Sequence, residues 1–85
     1  MATSFRPKTI THQRVDHELM KRGHLPLRSL VLADLAALSW RRVAQWVDHI
    51  TGIELTGAAI WQWFRDDAEV TAARHLARHP DEAAA

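Results

Sequence analysis

Two groups of side chains in this 85-residue chain have types and spacings that could do chemistry: six histidines and a run of arginines. His75 and His79 are four residues apart and so share one helix face, as two imidazole ligands of a metal would. A metal centre needs more. No His-Glu-x-x-His and no third ligand at fixed spacing accompanies them, His12 and His17 are not so placed, and cysteine is absent. The histidines are therefore expected at the surface, with no metal and no cofactor. No nucleophile-and-base pair, Gly-rich phosphate loop or pair of inward carboxylates is present, so no enzyme is expected. The arginines suggest a different chemistry. Arg41 and Arg42 follow Ser39, a good helix cap, which puts them in a first turn where side chains and backbone amides meet phosphate together. Arg6 and Lys8 lie on an N-terminal arm of the kind that enters a DNA minor groove. Ordinary solvated arginines are the alternative.

The elements that must position these groups read as helices. Thr9 or Thr11 caps a first helix that runs to about Arg22 and ends at Gly23. Its apolar positions, Val15, Leu19 and Met20, form a weak stripe, so loose docking or fraying is expected. Pro26 suits the first turn of a second helix. There Leu27, Leu30, Val31, Leu35 and Leu38 keep helical spacing through Leu38, and Leu32, Ala33, Ala36 and Ala37 make the segment apolar almost all round. Asp34 inside that stripe is expected to reach a nearby arginine or the domain edge.

A third helix follows the Ser39 cap, with Trp40, Val43, Ala44, Val47 and Ile50 on one face and Gly52 as a left-handed terminator. Thr56 caps a fourth. Ile60, Trp63 and Phe64 point inward there, while Gly57, Ala58, Trp61, Gln62 and Arg65 point outward. Asp66 and Glu69 have the spacing of a capping box for a last helical stretch that reaches His79, with Val70, Ala73, Leu76 and Ala77 on its apolar side. Trp61 is too large to leave bare without cost. Packing under this last helix through Val70 or Leu76 is the leading reading. The others are a partner or second copy docked on Ala58 and Trp61, and contact with a thymine methyl.

The segment Ser39 to Phe64, SWRRVAQWVDHITGIELTGAAIWQWF, resembles the helix-turn-helix segment of small DNA-binding proteins of actinobacteria and their phages. The resemblance rests on the Trp-x-x-Val-Ala start, the Thr-Gly turn, the threonine-capped second helix and the closing Trp-Phe, and it covers about a third of the chain. It implies that the second of these helices enters the major groove, with Thr56, Gly57, Ala58, Trp61, Gln62 and Arg65 at the reading positions. Gln62 and Arg65 are the two that can make bidentate contacts, to adenine and guanine. Gly57 and Ala58 carry no side-chain donors, Trp61 stands where a polar residue is usual, and Asp66 and Asp67 follow directly. The turn around Gly52 is also longer than in the short bacterial motif.

Composition sets the frame. With 47% hydrophobic and 25% charged residues, three Gly and three Pro, the chain suits one small all-α domain: four to five short helices over residues 11–80, an arm over 1–10 and a disordered tail over 81–85. The expected core is Leu30, Val31, Leu35, Leu38, Trp40, Val43, Val47, Ile50, Leu55, Ile60, Trp63 and Phe64. No stretch reaches the ~18–20 apolar residues of a membrane span and no signal peptide is visible, so no membrane association and a cytoplasmic location are expected. The net charge of +1 conceals an asymmetry. Residues 1–42 carry +5 and residues 43–85 carry −4, which implies either a basic working face or two halves that attract each other.

The expected function is a helix-turn-helix DNA-binding protein, a transcriptional regulator of phage or mobile-element type, with duplex DNA as partner and dimerisation for specificity. The alternative is a protein-binding module on the same scaffold, which captures a host regulator or self-associates through the Trp61 face.

Overall fold

A computed structural model describes residues 9–81. Five helices follow in order: α1 (Ile10–Lys21), α2 (Leu27–Leu32), α3 (Trp40–Thr51), α4 (Gly57–Phe64) and α5 (Ala68–Arg78). The class is all-α, as expected. Arg6 and Lys8 lie outside the described residues, as does nearly all of the expected tail. Ile10 is already helical, so the domain begins earlier than residue 11. Among the described residues no helix is long and apolar enough to cross a membrane.

Local chemistry sets most boundaries. The hydroxyls of Thr9, Ser39 and Thr56 accept from the backbone N–H of His12, Arg42 and Ala59, which caps α1, α3 and α4. Gly52 ends α3 at φ 75°, a left-handed conformation that costs a side-chain-bearing residue. α5 is capped by Asp67, not Asp66: the Asp67 carboxylate accepts from the Val70 N–H. That carboxylate also meets Arg28, at 2.8 Å from Oδ2 to Nε and 3.3 Å from Oδ1 to Nη2, so the cap position follows the ion pair.

Three expectations need correction. α1 is firmly docked, because His12, Val15 and Leu19 are all fully buried while Met20 is exposed. The His12 imidazole stacks on Trp63 with centroids 4.5 Å apart and planes within 6°, and it meets Phe64 edge-on. Its flat ring fills a position that a hydrophobic pattern counts as polar. Asp16 lies 3.8 Å from His12 Nε2 and accepts from the Leu27 N–H at 2.9 Å, so it caps α2 from a distance, since Pro26 has no side chain to do so.

α2 stops at Leu32 and turns occupy residues 33–38. A straight helix would have spread an apolar segment over all sides. The break lets Leu30 and Val31 and then Leu35 and Ala36 reach one core, and leaves Asp34 exposed. On α5 the inward positions are Val70 and Arg74, while Leu76 is left exposed.

The core joins α1 through α5: Val15, Leu19, Leu27, Leu30, Val31, Leu35, Val43, Val47, Ile60, Trp63, Phe64 and Val70, with Leu38, Trp40, Ile50 and Leu55 packed at its margin. α3 packs on α4 and α1, and α2 on α5 and α1. Arg28 of the basic half ties α2 to the start of α5, through Asp67 and also Glu69 at 3.4 Å. At this site the attraction between the two charged halves is realised.

The Arg28 guanidinium holds the Asp67 carboxyl below its usual range, with the Val70 N–H adding to the effect. A carboxyl depressed on folding contributes stability above about pH 4 that is lost as pH falls through its folded value. Asp67→Asn keeps the cap and removes the ion pair. It is expected to cost about 1–2 kcal/mol at pH 7 and to flatten the acid limb of stability measured by urea unfolding between pH 5 and pH 2. An unchanged acid limb would show that the pair contributes nothing.

Candidate functional site

The region that the sequence singles out is the packing of α3 against α4. A short helix-turn-helix leaves the end of its first helix through three or four residues. Here the connector from Gly52 to Thr56 runs back along α3, and α4 starts beside α3's first turn. Gly57 fixes this. A Cβ added there would stand 2.7 Å from the Arg41 backbone nitrogen and 2.9 Å from the Trp40 carbonyl carbon. The lengths agree, since six steps of extended chain cover ~20 Å and ten residues of helix rise ~15 Å. Gly57 therefore faces the backbone of α3 and does not point outward. Its lack of a side chain is what allows the two helices to meet.

That contact places two helix N-termini side by side, each carrying the positive end of its dipole. The side chains of Arg41 and Arg42 stand exposed on the first turn of α3. Between the helices lies a groove of about 730 Å³, lined by Trp40, Arg41, Ala44, Leu55, Ala58 and Trp61 among others. Gln45, Asp48 and Thr56 supply polar atoms to it. The fold thus brings Arg41, Thr56, Ala58 and Trp61 together around one opening. Arg42, Gln62 and Arg65 do not line it. Gln62 is exposed on α4. Arg65 lies over the Trp61 ring at 5.6 Å and 3.7 Å from the Asp66 carboxylate, so its charge is partly answered within the chain. Thr56 is engaged as the cap of α4, a role that leaves its hydroxyl proton available to a ligand.

Trp61 is not covered by α5. It is 44% exposed, and Leu76, offered above as its cover, is 48% exposed. The residue that approaches this region from α5 is Arg74, which the sequence reading assigned no role. Its guanidinium lies 3.7 Å from the centroid of Trp40, whose other contact is a near-parallel stack with Phe64. Arg74 also donates to the Ala36 carbonyl at 3.5 Å and is 7% exposed. The sequence held one signal for it: Arg74 is four residues beyond the buried Val70, on the same helix face.

Among the described residues, no group of three or more His, Cys, Asp and Glu side chains could hold a metal ion. His75 and His79 do lie together, with ring centroids 4.5 Å apart. Comparison with protein-family models, curated proteins and solved structures yields no match for this chain.

Gly57→Ala tests the packing. Alanine favours a helix by about 1 kcal/mol over glycine, so a neutral site would be stabilised. Here the added methyl meets backbone, which has no rotamer to yield, and overpacking of this kind costs about 1–3 kcal/mol. A net loss of about 1–2 kcal/mol in urea unfolding is expected. A raised midpoint would show that α4 does not need this approach to α3.

Proposed function

We propose that this protein binds duplex DNA and acts as a small transcriptional regulator of phage or mobile-element type. The observation that carries the reading is the pairing of the α3 and α4 N-termini at Gly57, with Arg41 and Arg42 exposed beside them. Backbone amides at helix starts and guanidinium groups together suit phosphate oxygens. Gln62 and Arg65 on the outer side of α4 are the residues proposed to read base edges, with Thr56 at the start of the same helix. The near-neutral chain makes the local cation cluster, not net charge, the source of affinity. A single module of this size contacts few bases, so a dimer on paired half-sites is part of the proposal.

The test is fluorescence titration of random and enriched duplexes between ~50 and ~200 mM salt. Arg41→Ala combined with Arg42→Ala is expected to weaken binding on every sequence and to reduce the salt slope by about two. Gln62→Ala and Arg65→Ala are expected to relax preference at particular base pairs. Absence of binding at low salt would sink the DNA reading, and equal losses from all four changes on all sequences would refute the placement of the reading helix.

A second reading is favoured by the groove itself. Its lining is chiefly apolar and Trp61 stands exposed at its edge, as a tryptophan anchor at a protein interface does. The occupant proposed is a second copy of this chain. Trp61→Ser is then expected to turn a concentration-dependent dimer into a monomer in sedimentation equilibrium, with a thermal midpoint that matches the wild type at concentrations below its dimer Kd and no longer rises with concentration. A wild-type protein that stays monomeric up to ~100 µM, where a dimer with a Kd of ~10 µM would be largely associated, would rule this occupant out and leave a different protein partner for the groove.

A further inference from the structure

We propose that Arg74, His75, Arg78 and His79 form a phosphate-binding pocket at the C-terminal end of α5. These four side chains line one cavity of about 350 Å³. They form two i, i+4 pairs, Arg74 with Arg78 and His75 with His79, so the two guanidiniums and the two imidazoles occupy adjacent strips of one helix face. The imidazole rings lie 4.5 Å apart.

Arg74 is the buried member of the four. It is 7% exposed, yet neither it nor Arg78 has a carboxylate partner among the described residues. A guanidinium has five N–H donors, and the protein answers Arg74 with one long hydrogen bond, to the Ala36 carbonyl, and the face of Trp40. Burial and the nearby Arg78 both pull the Arg74 pKa below the usual arginine value, which marks a cation whose charge the fold has not compensated.

The helix dipole accounts for His75 and Arg78 in a last turn. It does not account for two guanidiniums brought to one cavity with one of them buried, because like charges at i, i+4 repel. A bound dianion removes that repulsion, and planar guanidiniums suit its tetrahedral oxygens. Arg74 also lines a smaller cavity of about 170 Å³ with Trp40, Trp61 and Arg65, so the pocket adjoins the α3–α4 surface. The phosphate has two possible sources, a nucleic-acid backbone or a phosphorylated small molecule. The backbone source rests on the DNA reading above, and the pocket itself does not.

The experiment titrates the full chain at pH 7 with inorganic phosphate, against chloride at matched ionic strength, and follows the side-chain NMR signals of His75, His79 and Arg78. Saturating shifts confined to these residues and Arg74 are expected with phosphate and not with chloride. Arg78→Gln, a change at an exposed position, is expected to weaken phosphate about tenfold, the weight of one charge-assisted hydrogen bond, with a melting temperature that is not lowered, since the variant also relieves the repulsion of Arg74. Shifts that never saturate, that chloride reproduces, or that Arg78→Gln leaves unaltered would overturn the pocket. The same variant is then titrated with a random duplex. A uniform loss with a salt slope lower by about one supports the backbone source. An unchanged duplex affinity beside a lost phosphate site supports the small-molecule source. If the wild-type chain binds no duplex at all, the DNA reading fails and the phosphate titration alone decides the pocket.

Discussion

The indole of Trp40 holds the meeting point of α3, α4 and α5 together. One contact is with Phe64 of α4, at 5.9 Å between centroids and 10° between planes, and another is with the Arg74 guanidinium of α5 at 3.7 Å. Arg74 in turn reaches the Ala36 carbonyl in the turn that precedes α3. Three helices and the turn that leads into α3 therefore meet near the first residue of α3. The close approach of Gly57 to the Trp40–Arg41 peptide completes the arrangement. In a domain this small the apolar core is thin, so a planar aromatic contacted by a ring and a cation does work that a larger protein would leave to many aliphatic side chains. The same constraint explains His12, whose ring is used as core between α1 and α4.

Charge is distributed around that framework according to which carboxylates are already taken. Asp67 and Glu69 are held by Arg28, and Asp16 is committed to the start of α2. Of these, Asp67 and Glu69 belong to the acidic half, which therefore presents less free negative charge than its sequence total suggests, and two of its three arginines, Arg74 and Arg78, lie on α5. The basic half loses Arg28 to the same pairing and retains Arg41 and Arg42 on the surface. The opposed totals of the two halves thus divide into the Arg28 clamp between α2 and α5 and the exposed Arg41 and Arg42 at the start of α3.

Much of the helical framework was legible because its causes are local. The caps of α3 and α4 at Ser39 and Thr56, the left-handed stop at Gly52 and the inward stripe from Trp40 to Ile50 are each set by residues within a few positions. The end of α2 at Leu32 is not legible, because the sequence there is apolar on every side and periodicity gives no stopping point in such a run. The cap of the last helix is not legible, because the spacing to Glu69 favours Asp66 while Arg28, thirty-nine residues from Asp67, binds the Asp67 carboxylate. The candidate site was legible in part. Spacing exposes Arg41 and Trp61 but does not show that they line one groove with Thr56 and Ala58, that Gly57 faces the α3 backbone, or that Arg74 reaches Trp40.

The sequence by itself determined the class, the approximate helices and the exposed arginine pair at the start of α3. Tertiary structure decided where α4 begins relative to α3, which rings and cations share the Trp40 site, and which charges remain available to a ligand. The physical reason is range. Capping and periodicity act over one or two helical turns, so a reader of the chain can recover them. The retracing connector, the Arg74–Trp40 contact and the Arg28–Asp67 pair join residues that are neighbours only once the core has closed.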